Sequence, residues 1–284
     1  MSSPTRIVLS SMREHGVRYL LMGGQACIIY GAAEFSRDTD IAILAEPDNL
    51  RRLQTALSAL AARVTAVPPF EPEYLARGHA VHFECGPGSA AAGMRIDVMA
   101  SMRNVPSFAE CWARRSTFAL DDLGELEVLG LEDLVSCKKT RRDKDWPMVR
   151  RLVERHYLDP ELEPTPERFR FWLRELRTPA LLAECVVRAQ TAPSEIAALL
   201  TELSAGRKAT AVAAQGGSEQ EIGSALADEE TRERAADEAY WRPRNYGASW
   251  LKARSLLILY EIPDGFRHAG APGIPVEPPT VSLP

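Results

Sequence analysis

The sequence predicts an α/β fold, a mixed sheet with helices, followed by a mostly helical C-terminal region. Up to about residue 158, the apolar residues alternate between the two-residue period of strands and the 3.6-residue period of helices. From Pro160 onward the helical pattern continues, but no convincing strand follows. We therefore predict an α/β domain at 1–158, a helical region at 159–261 and a disordered, proline-rich tail at 262–284.

The first half of the predicted domain reads as helix, strand, helix, strand and helix. The apolar patterns place these elements at 3–15, 17–22, 25–30, 40–44 and 47–62. Gly23 and Gly24 interrupt the pattern after the first strand, because glycine tolerates the sharp backbone turn that such a junction needs. Pro47 suits the first turn of the last helix, where its missing N–H has no partner to lose.

The second half of the domain predicts a hairpin, a short strand and a long helix. The patterns place the hairpin strands at 80–85 and 94–99, the short strand at 125–129 and the helix at 131–157. Pro147 predicts a kink or a new helix start within that last segment. Beyond it, helical segments are predicted at 167–177, 179–189, 195–204 and 248–260, with weakly patterned stretches at 205–218 and 223–239.

Composition and charge exclude several classes of protein. The net charge of −5 argues against a chain that coats nucleic acid nonspecifically, but it is compatible with one local basic site. The five cysteines are scattered without a C-x-x-C pair, so they indicate neither a zinc cluster nor a disulfide framework. Residues 1–11 lack a secretion signal, and the apolar runs are too short to span a bilayer. We therefore expect a cytoplasmic protein with no membrane partner.

The first candidate site is the strand–glycine–helix junction at Gly23 and Gly24. Two glycines after a strand leave backbone N–H groups free where a helix begins, and such groups bind phosphate. The same dipeptide is more often only a turn. On its own, this junction leaves both interpretations open.

The second candidate site consists of acidic residues in two strands. Residues 38, 40 and 42 share one face if the strand extends back that far, so Asp38 and Asp40 could together hold a hard cation. A solvated strand entry is the ordinary alternative. Asp97 lies inside an otherwise apolar strand, where a buried carboxylate needs a metal, an arginine such as Arg95 or backbone donors.

The third candidate site is the basic run from Lys138 to Asp145. Charged runs of this kind usually form a solvated helix face, here with pairs such as Lys139–Asp143 and Arg141–Asp145. It is also the one strong basic patch of an acidic chain, and therefore the natural place for a triphosphate or a tRNA to bind.

The histidines, tryptophans and cysteines predict packing rather than chemistry. His79 and His82 flank one hairpin strand, a placement that is more typical of structural residues than of metal ligands. The cysteines read as small buried hydrophobic residues. Four tryptophans are predicted to anchor the core rather than to stack on nucleic-acid bases: Trp146, Trp172, Trp241 and Trp250.

In their order and spacing, these features resemble the nucleotidyltransferase superfold, and most closely its bacterial branch of AbiEii-type and related stand-alone proteins. The resemblance covers about residues 5–158. It rests on Gly-Gly-x-Ala at 23–26, Arg-x-Thr at 37–39, Leu-Glu-Asp-Leu at 131–134, a lysine at 138 or 139, and Arg-x-Lys-Asp at 142–145.

The resemblance implies a nucleotidyltransferase-like fold and metal-dependent transfer of a nucleotide from an NTP to a hydroxyl on RNA, protein or a small molecule. In similar proteins this activity serves as a toxin or defence component beside a partner protein encoded nearby, with tRNA among the expected acceptors. The implied catalytic residues are Asp40, Asp97 and Lys138, and the implied ligands of Mg²⁺ or Mn²⁺ are Asp38, Asp40 and Asp97. The implied nucleotide-binding residues are Gly23, Gly24, Arg37, Thr39, Lys139 and Arg142.

One position departs from the pattern of these relatives. The superfold that the chain resembles carries an acid–hydrophobic–acid pair on the strand after the glycine junction. Here Asp40 matches the first acid, but the second falls on Ala42, and alanine cannot bind a metal. Either Asp38 and Asp40 act as the pair, or the chain is a noncatalytic binding protein that retains the fold. The Arg37–Thr39 element favours Asp40 as the first acid.

Overall fold

The predicted α/β fold with a helical C-terminal region is confirmed. A computed structural model describes residues 3–66, 68–121 and 123–259, with side chains through residue 244. The described residues form one seven-stranded mixed sheet and twelve helices. None of the described helices is both long and apolar enough to cross a membrane. The proline-rich segment at 262–284, predicted to be disordered, lies outside the described residues.

All described strands belong to the part of the chain before residue 158. The strands are β1 (Tyr19–Met22), β2 (Asp38–Ile43), β3 (Arg63–Val64), β4 (Val81–Glu84), β5 (Arg95–Met99), β6 (Ser116–Leu120) and β7 (Gly124–Val128). The helices among them are α1 (Ser3–Glu14), α2 (Gly23–Ile29), α3 (Pro47–Ala59), α4 (Pro72–Ala76), α5 (Phe108–Ala113), α6 (Leu131–Cys137) and α7 (Asp145–Tyr157).

The helical region that follows begins at Pro166. Its elements are α8 (Pro166–Glu175), α9 (Pro179–Thr191), α10 (Ser194–Gly206), α11 (Lys208–Ala214) and the 41-residue α12 (Glu219–Leu259). The weakly patterned stretches at 205–218 and 223–239 are therefore largely helical. They contain few large apolar residues, because alanine, the strongest helix former, occupies several of their buried positions, which include Ala209, Ala213 and Ala225.

The centre of the sheet is the position from which the site is built. The strand order is β3-β4-β5-β2-β1-β7-β6. β2 pairs antiparallel with β1 and parallel with β5, and β5 pairs antiparallel with β4, as the predicted hairpin requires. One face of β2 is fully buried through Ile41 and Ile43, so the other face is left for polar residues.

Several details differ from the sequence-based expectation, and the short helices α4 and α5 were not predicted. The short strands β3 and β6 carry no strong apolar alternation and were not predicted. The expected break at Pro147 lies earlier: the helix ends at Cys137 and restarts at Asp145, which places Pro147 in the first turn of α7, where proline is tolerated. α2 begins at Gly23 itself rather than at Gln25.

Candidate functional site

A cavity of about 530 Å³ opens over the centre of the sheet. This volume suits a small-molecule ligand. Its walls come from β2, β4, β5, the Gly23–Gly24 junction, the loop between α6 and α7, and α12. It gathers most of the predicted site residues: Gly23, Gly24, Arg37, Asp38, Asp40, Asp97, Lys138 and Arg142.

The floor of the cavity is a row of side chains that crosses four strands. Met22 on β1 lies opposite Asp40 on β2, Asp40 lies opposite Asp97 on β5, and Asp97 lies opposite His82 on β4. All four residues line the cavity. The strand register therefore places the two predicted catalytic aspartates side by side. We call Asp40, Asp97 and His82 the acidic floor.

Both glycines of the junction lie too close to neighbouring side chains to carry a Cβ atom. A Cβ atom on Gly23, whose φ is +66°, would lie 1.9 Å from Asp40 Oδ2. The backbone N–H of Gly24 donates to the same oxygen at 3.3 Å, and a Cβ atom on Gly24 would lie 2.4 Å from the Ser36 hydroxyl. Close packing against Asp40 of β2 and against Ser36, just before β2, therefore requires glycine at both positions, whether or not phosphate binds there.

The electrostatics of Asp40 distinguish it from an ordinary surface acid. Burial, and next the negative charge of Asp97, raise the pKa of Asp40 to about 6, while Lys138 and the Gly24 N–H act in the opposite direction. Like charges that are held together in a cavity are characteristic of functional sites.

The sequence predicted that Asp97 needs a partner for its carboxylate. In the structure it has two, His82 and Arg95. Nδ1 of His82 lies 2.8 Å from Asp97 Oδ1, and a guanidinium nitrogen of Arg95 lies 3.8 Å from the same oxygen. The hydrogen bond to Asp97 raises the pKa of His82. His82 thus joins the site, although the sequence predicted only a structural role.

The remaining residues of β2 divide between the two faces of the sheet. Asp38 faces the cavity, with a carboxylate oxygen 3.7 Å from Arg95. Thr39 is fully buried on the opposite face and does not line the cavity, which removes it from the predicted nucleotide-binding set. Ala42 is 2% exposed, so the position of the missing acid is buried as well.

The basic run is a loop rather than the solvated helix face considered above. Asp145 is fully buried and accepts hydrogen bonds from Lys138 Nζ at 3.2 Å, Thr140 Oγ1 at 2.6 Å and Arg142 Nε at 2.8 Å. We call this group the Asp145 network. The Lys139 ammonium pairs with Glu175 and does not line the cavity.

The far wall of the cavity comes from α12, which the sequence did not connect with the site. Asp237 and Trp241 line the cavity. Oδ2 of Asp237 accepts from the backbone N–H of Arg141 at 2.9 Å, and its Oδ1 lies 3.6 Å from Arg103 Nε. Trp241 is half-buried, unlike Trp146 and Trp172, which are buried as predicted; Trp250 lies outside the described side chains.

Cysteine chemistry has no support at this cavity. Cys137 lines it, but burial raises the pKa of its thiol to about 12, so the nucleophilic thiolate is not populated at neutral pH. All five cysteines are free.

The residues present fit a single divalent cation better than a two-metal centre. Asp40 and Asp97 provide two neighbouring carboxylates whose mutual repulsion a cation would relieve. Ala42 supplies no third ligand, and the other acid on this face of β2, Asp38, lies 3.7 Å from Arg95. Among the described residues, no group of three or more histidines, cysteines or acids is arranged to hold a metal ion.

No protein-family model matches the chain, and no curated protein matches it. Function is therefore inferred from the cavity itself.

Proposed function

We propose that the protein is a metal-dependent nucleotidyltransferase that moves a nucleotide from an NTP to a hydroxyl on RNA, protein or a small molecule. The observation that carries this proposal is the register of β2 and β5, which sets Asp40 beside Asp97 on the floor of a cavity with a cationic rim. Carboxylates for a metal and cations for phosphates are the two requirements of phosphoryl chemistry.

Each group has a role that follows from its position. Asp40 and Asp97 would hold Mg²⁺ or Mn²⁺, which when bound neutralises phosphate charge and favours the ionised form of an attacking hydroxyl. Lys138 lines the same cavity, with its ammonium bound by Asp145 and its positive charge acting on Asp40. The exposed cations at the cavity edge would bind the phosphate oxygens: Arg37, Arg141, Arg142 and Lys144.

The same exposed edge supports an RNA acceptor. Arg141, Arg142 and Lys144 are close together in sequence and all face solvent at the cavity mouth. Such a patch attracts the phosphate backbone of tRNA or another RNA through counterion release. We place the protein in the cytoplasm, where NTPs are available and free thiols persist. A toxin or defence role with a nearby partner protein rests on the family resemblance alone.

The test is transfer of radiolabel from each NTP, labelled in its α-phosphate, to total cellular RNA and protein with Mg²⁺ or Mn²⁺. We expect wild type to label an acceptor and Asp40→Asn and Asp97→Asn to lose both labelling and Mg²⁺-dependent nucleotide binding. Asp48→Asn is the matched control, because Asp48 is an exposed acid outside the cavity. Unchanged labelling in both cavity variants would contradict the proposal.

A second candidate is a noncatalytic nucleotide-binding protein. Two observations favour it. Position 42 carries a buried alanine in place of a carboxylate, and the carboxylate of Asp97 already contacts His82 and Arg95. This candidate predicts nucleotide binding by wild type with no transfer to any acceptor. Ala42→Asp would then create or raise activity if the missing acid is the only deficit.

A further inference from the structure

Beside the acidic floor, the cavity has an apolar end. Met99 lies two residues after Asp97 on the same face of β5, opposite Ala42 of β2. Met99 and Met102 line the cavity, together with Ala80 at the start of the neighbouring strand. The floor thus changes from charged to apolar within one step along β5.

α12 is anchored over this apolar end. Arg244 Nε donates to the Arg77 carbonyl at 3.1 Å, and a Cβ atom on Gly78 would lie 2.7 Å from the Tyr240 hydroxyl. Both contacts fall just before Ala80 in the chain. Trp241, the next residue after Tyr240, lines the cavity from this position.

The indole of Trp241 differs from those of the other described tryptophans in what stacks on it. Arg18 and Arg115 lie over Trp112, Arg177 and Arg234 over Trp146, and Arg188 over Trp172. Among the described side chains, no arginine or lysine stacks on Trp241. Its ring meets the ring of Tyr240 edge-on, with the two centroids 5.3 Å apart. An aromatic face without a stacked cation therefore borders the cavity.

We infer that Trp241, with Met99 and Met102, forms the subsite for the purine base of the NTP. This inference rests on the proposed function, which places the phosphates at the cationic edge. Aromatic faces and polarisable methionine side chains bind nucleobases by stacking. A purine offers the larger aromatic surface for stacking on the indole and against the two methionines.

The experiment separates the base from the phosphates. Calorimetric titrations with Mg²⁺ measure the affinities of the full chain for ATP, UTP and inorganic tripolyphosphate. We expect wild type to bind ATP more tightly than UTP or tripolyphosphate. Trp241→Ala should weaken ATP binding about tenfold or more and leave tripolyphosphate binding unchanged. Trp241→Phe, which keeps an aromatic face, should lose no more than about threefold.

Trp112→Ala is the matched control, because Trp112 is a half-buried tryptophan outside the cavity. Its affinities for all three ligands should stay within about twofold of wild type. Equal ATP binding in wild type and Trp241→Ala, or equal losses of ATP and tripolyphosphate, would overturn the base subsite while leaving the proposed function intact. If Trp241→Ala does not fold, wild-type ATP binding no tighter than tripolyphosphate overturns it too. A wild type that binds neither tripolyphosphate nor any of the four NTPs overturns the proposed function itself.

Discussion

The acidic floor and the Asp145 network face the same cavity, but they treat a carboxylate in opposite ways. Asp145 is fully buried, yet Lys138 and the hydrogen bond from Thr140 overcome the effect of burial and lower its pKa. At Asp40, burial and the charge of Asp97 outweigh Lys138 and raise the pKa. The partners of Asp145 are enough to stabilise its charged form, whereas those of Asp40 are not.

This difference separates structural charge from functional charge. A carboxylate whose hydrogen-bond partners all come from the chain holds the loop in place. Removing it leaves a buried cation without its partner. A carboxylate held beside a like charge gains from a cation that the chain does not supply. Variants at the two places should therefore change stability with opposite signs.

Asp145→Ala should have the largest effect on stability. It leaves the buried Lys138 ammonium without its partner and should lower the free energy of unfolding by about 3–5 kcal/mol. Denaturant unfolding measures the loss. Asp143→Ala is the control: its carboxylate is 98% exposed in its pair with Arg234, and its loss should stay below about 1 kcal/mol. Similar losses in the two variants would remove the distinction drawn for the network.

Gly23→Ala should have the next largest effect. The new methyl group would lie 1.9 Å from Asp40 Oδ2 at a residue with a φ of +66°. We expect a loss of about 2–4 kcal/mol in thermal or denaturant unfolding. Gly93→Ala is the control, because Gly93 has a φ of +77° and its new Cβ atom would meet nothing within 4 Å, so only the backbone strain of about 1 kcal/mol remains. In an Asp40→Ala background, the Gly23→Ala loss should shrink but stay above the Gly93→Ala level, because the Cβ atom of residue 40 would still lie 2.6 Å from the new methyl group.

Asp40→Asn should stabilise the metal-free protein at neutral pH, by roughly 1–3 kcal/mol. Because the fold raises the pKa of Asp40 from 3.8 to about 6, the folded state binds more protons than the unfolded state within that window. The wild type therefore loses stability as the pH rises through the window, and the uncharged variant does not. Melting temperatures in EDTA at pH 4 and pH 7.5 check this. A stability gain that is equal at both pH values would contradict it.

Asp38→Ala should have the smallest effect on stability, within about 0.5 kcal/mol, because its contact with Arg95 is long and partly exposed. This variant is informative because it tests whether Asp38 contributes to the rise in melting temperature caused by Mg²⁺. If Asp38 serves as the second acid, the rise in melting temperature on adding Mg²⁺ should disappear in Asp38→Ala. If Asp40 and Asp97 hold the ion alone, that rise should remain.

The sequence predicted the strands that carry the acids, but not every neighbour of those acids. Period-two alternation in two short apolar runs was enough to put Asp40 and Asp97 on strands. The pairing of His82 with Asp97 depends on the register of a hairpin with a long, small-residue loop, which composition does not determine. Thr39 was assigned to the site from the family resemblance, and the same alternation that exposes Asp38 buries it.

The basic loop and α12 were beyond local reasoning for a different reason. Residues 138–144 are good helix formers, but Lys139 pairs with Glu175 and the Arg141 N–H is bound by Asp237. These partners lie far along the chain and override local propensity. Nothing in the alanine-rich sequence around Trp241 indicates that it borders a cavity built from the first half of the chain.

The position of α12 in the chain has a consequence for protein synthesis. The ribosome releases the glycine junction, both strand acids and the basic loop before it reaches Asp237 and Trp241, and N-terminal parts fold first. We expect a stalled nascent chain ending at residue 206 to hold the sheet but retain no purine nucleotide, which a ribosome-bound filter assay would detect. The nascent protein would then bind a nucleotide only after α12 has been synthesised and the cavity wall is complete.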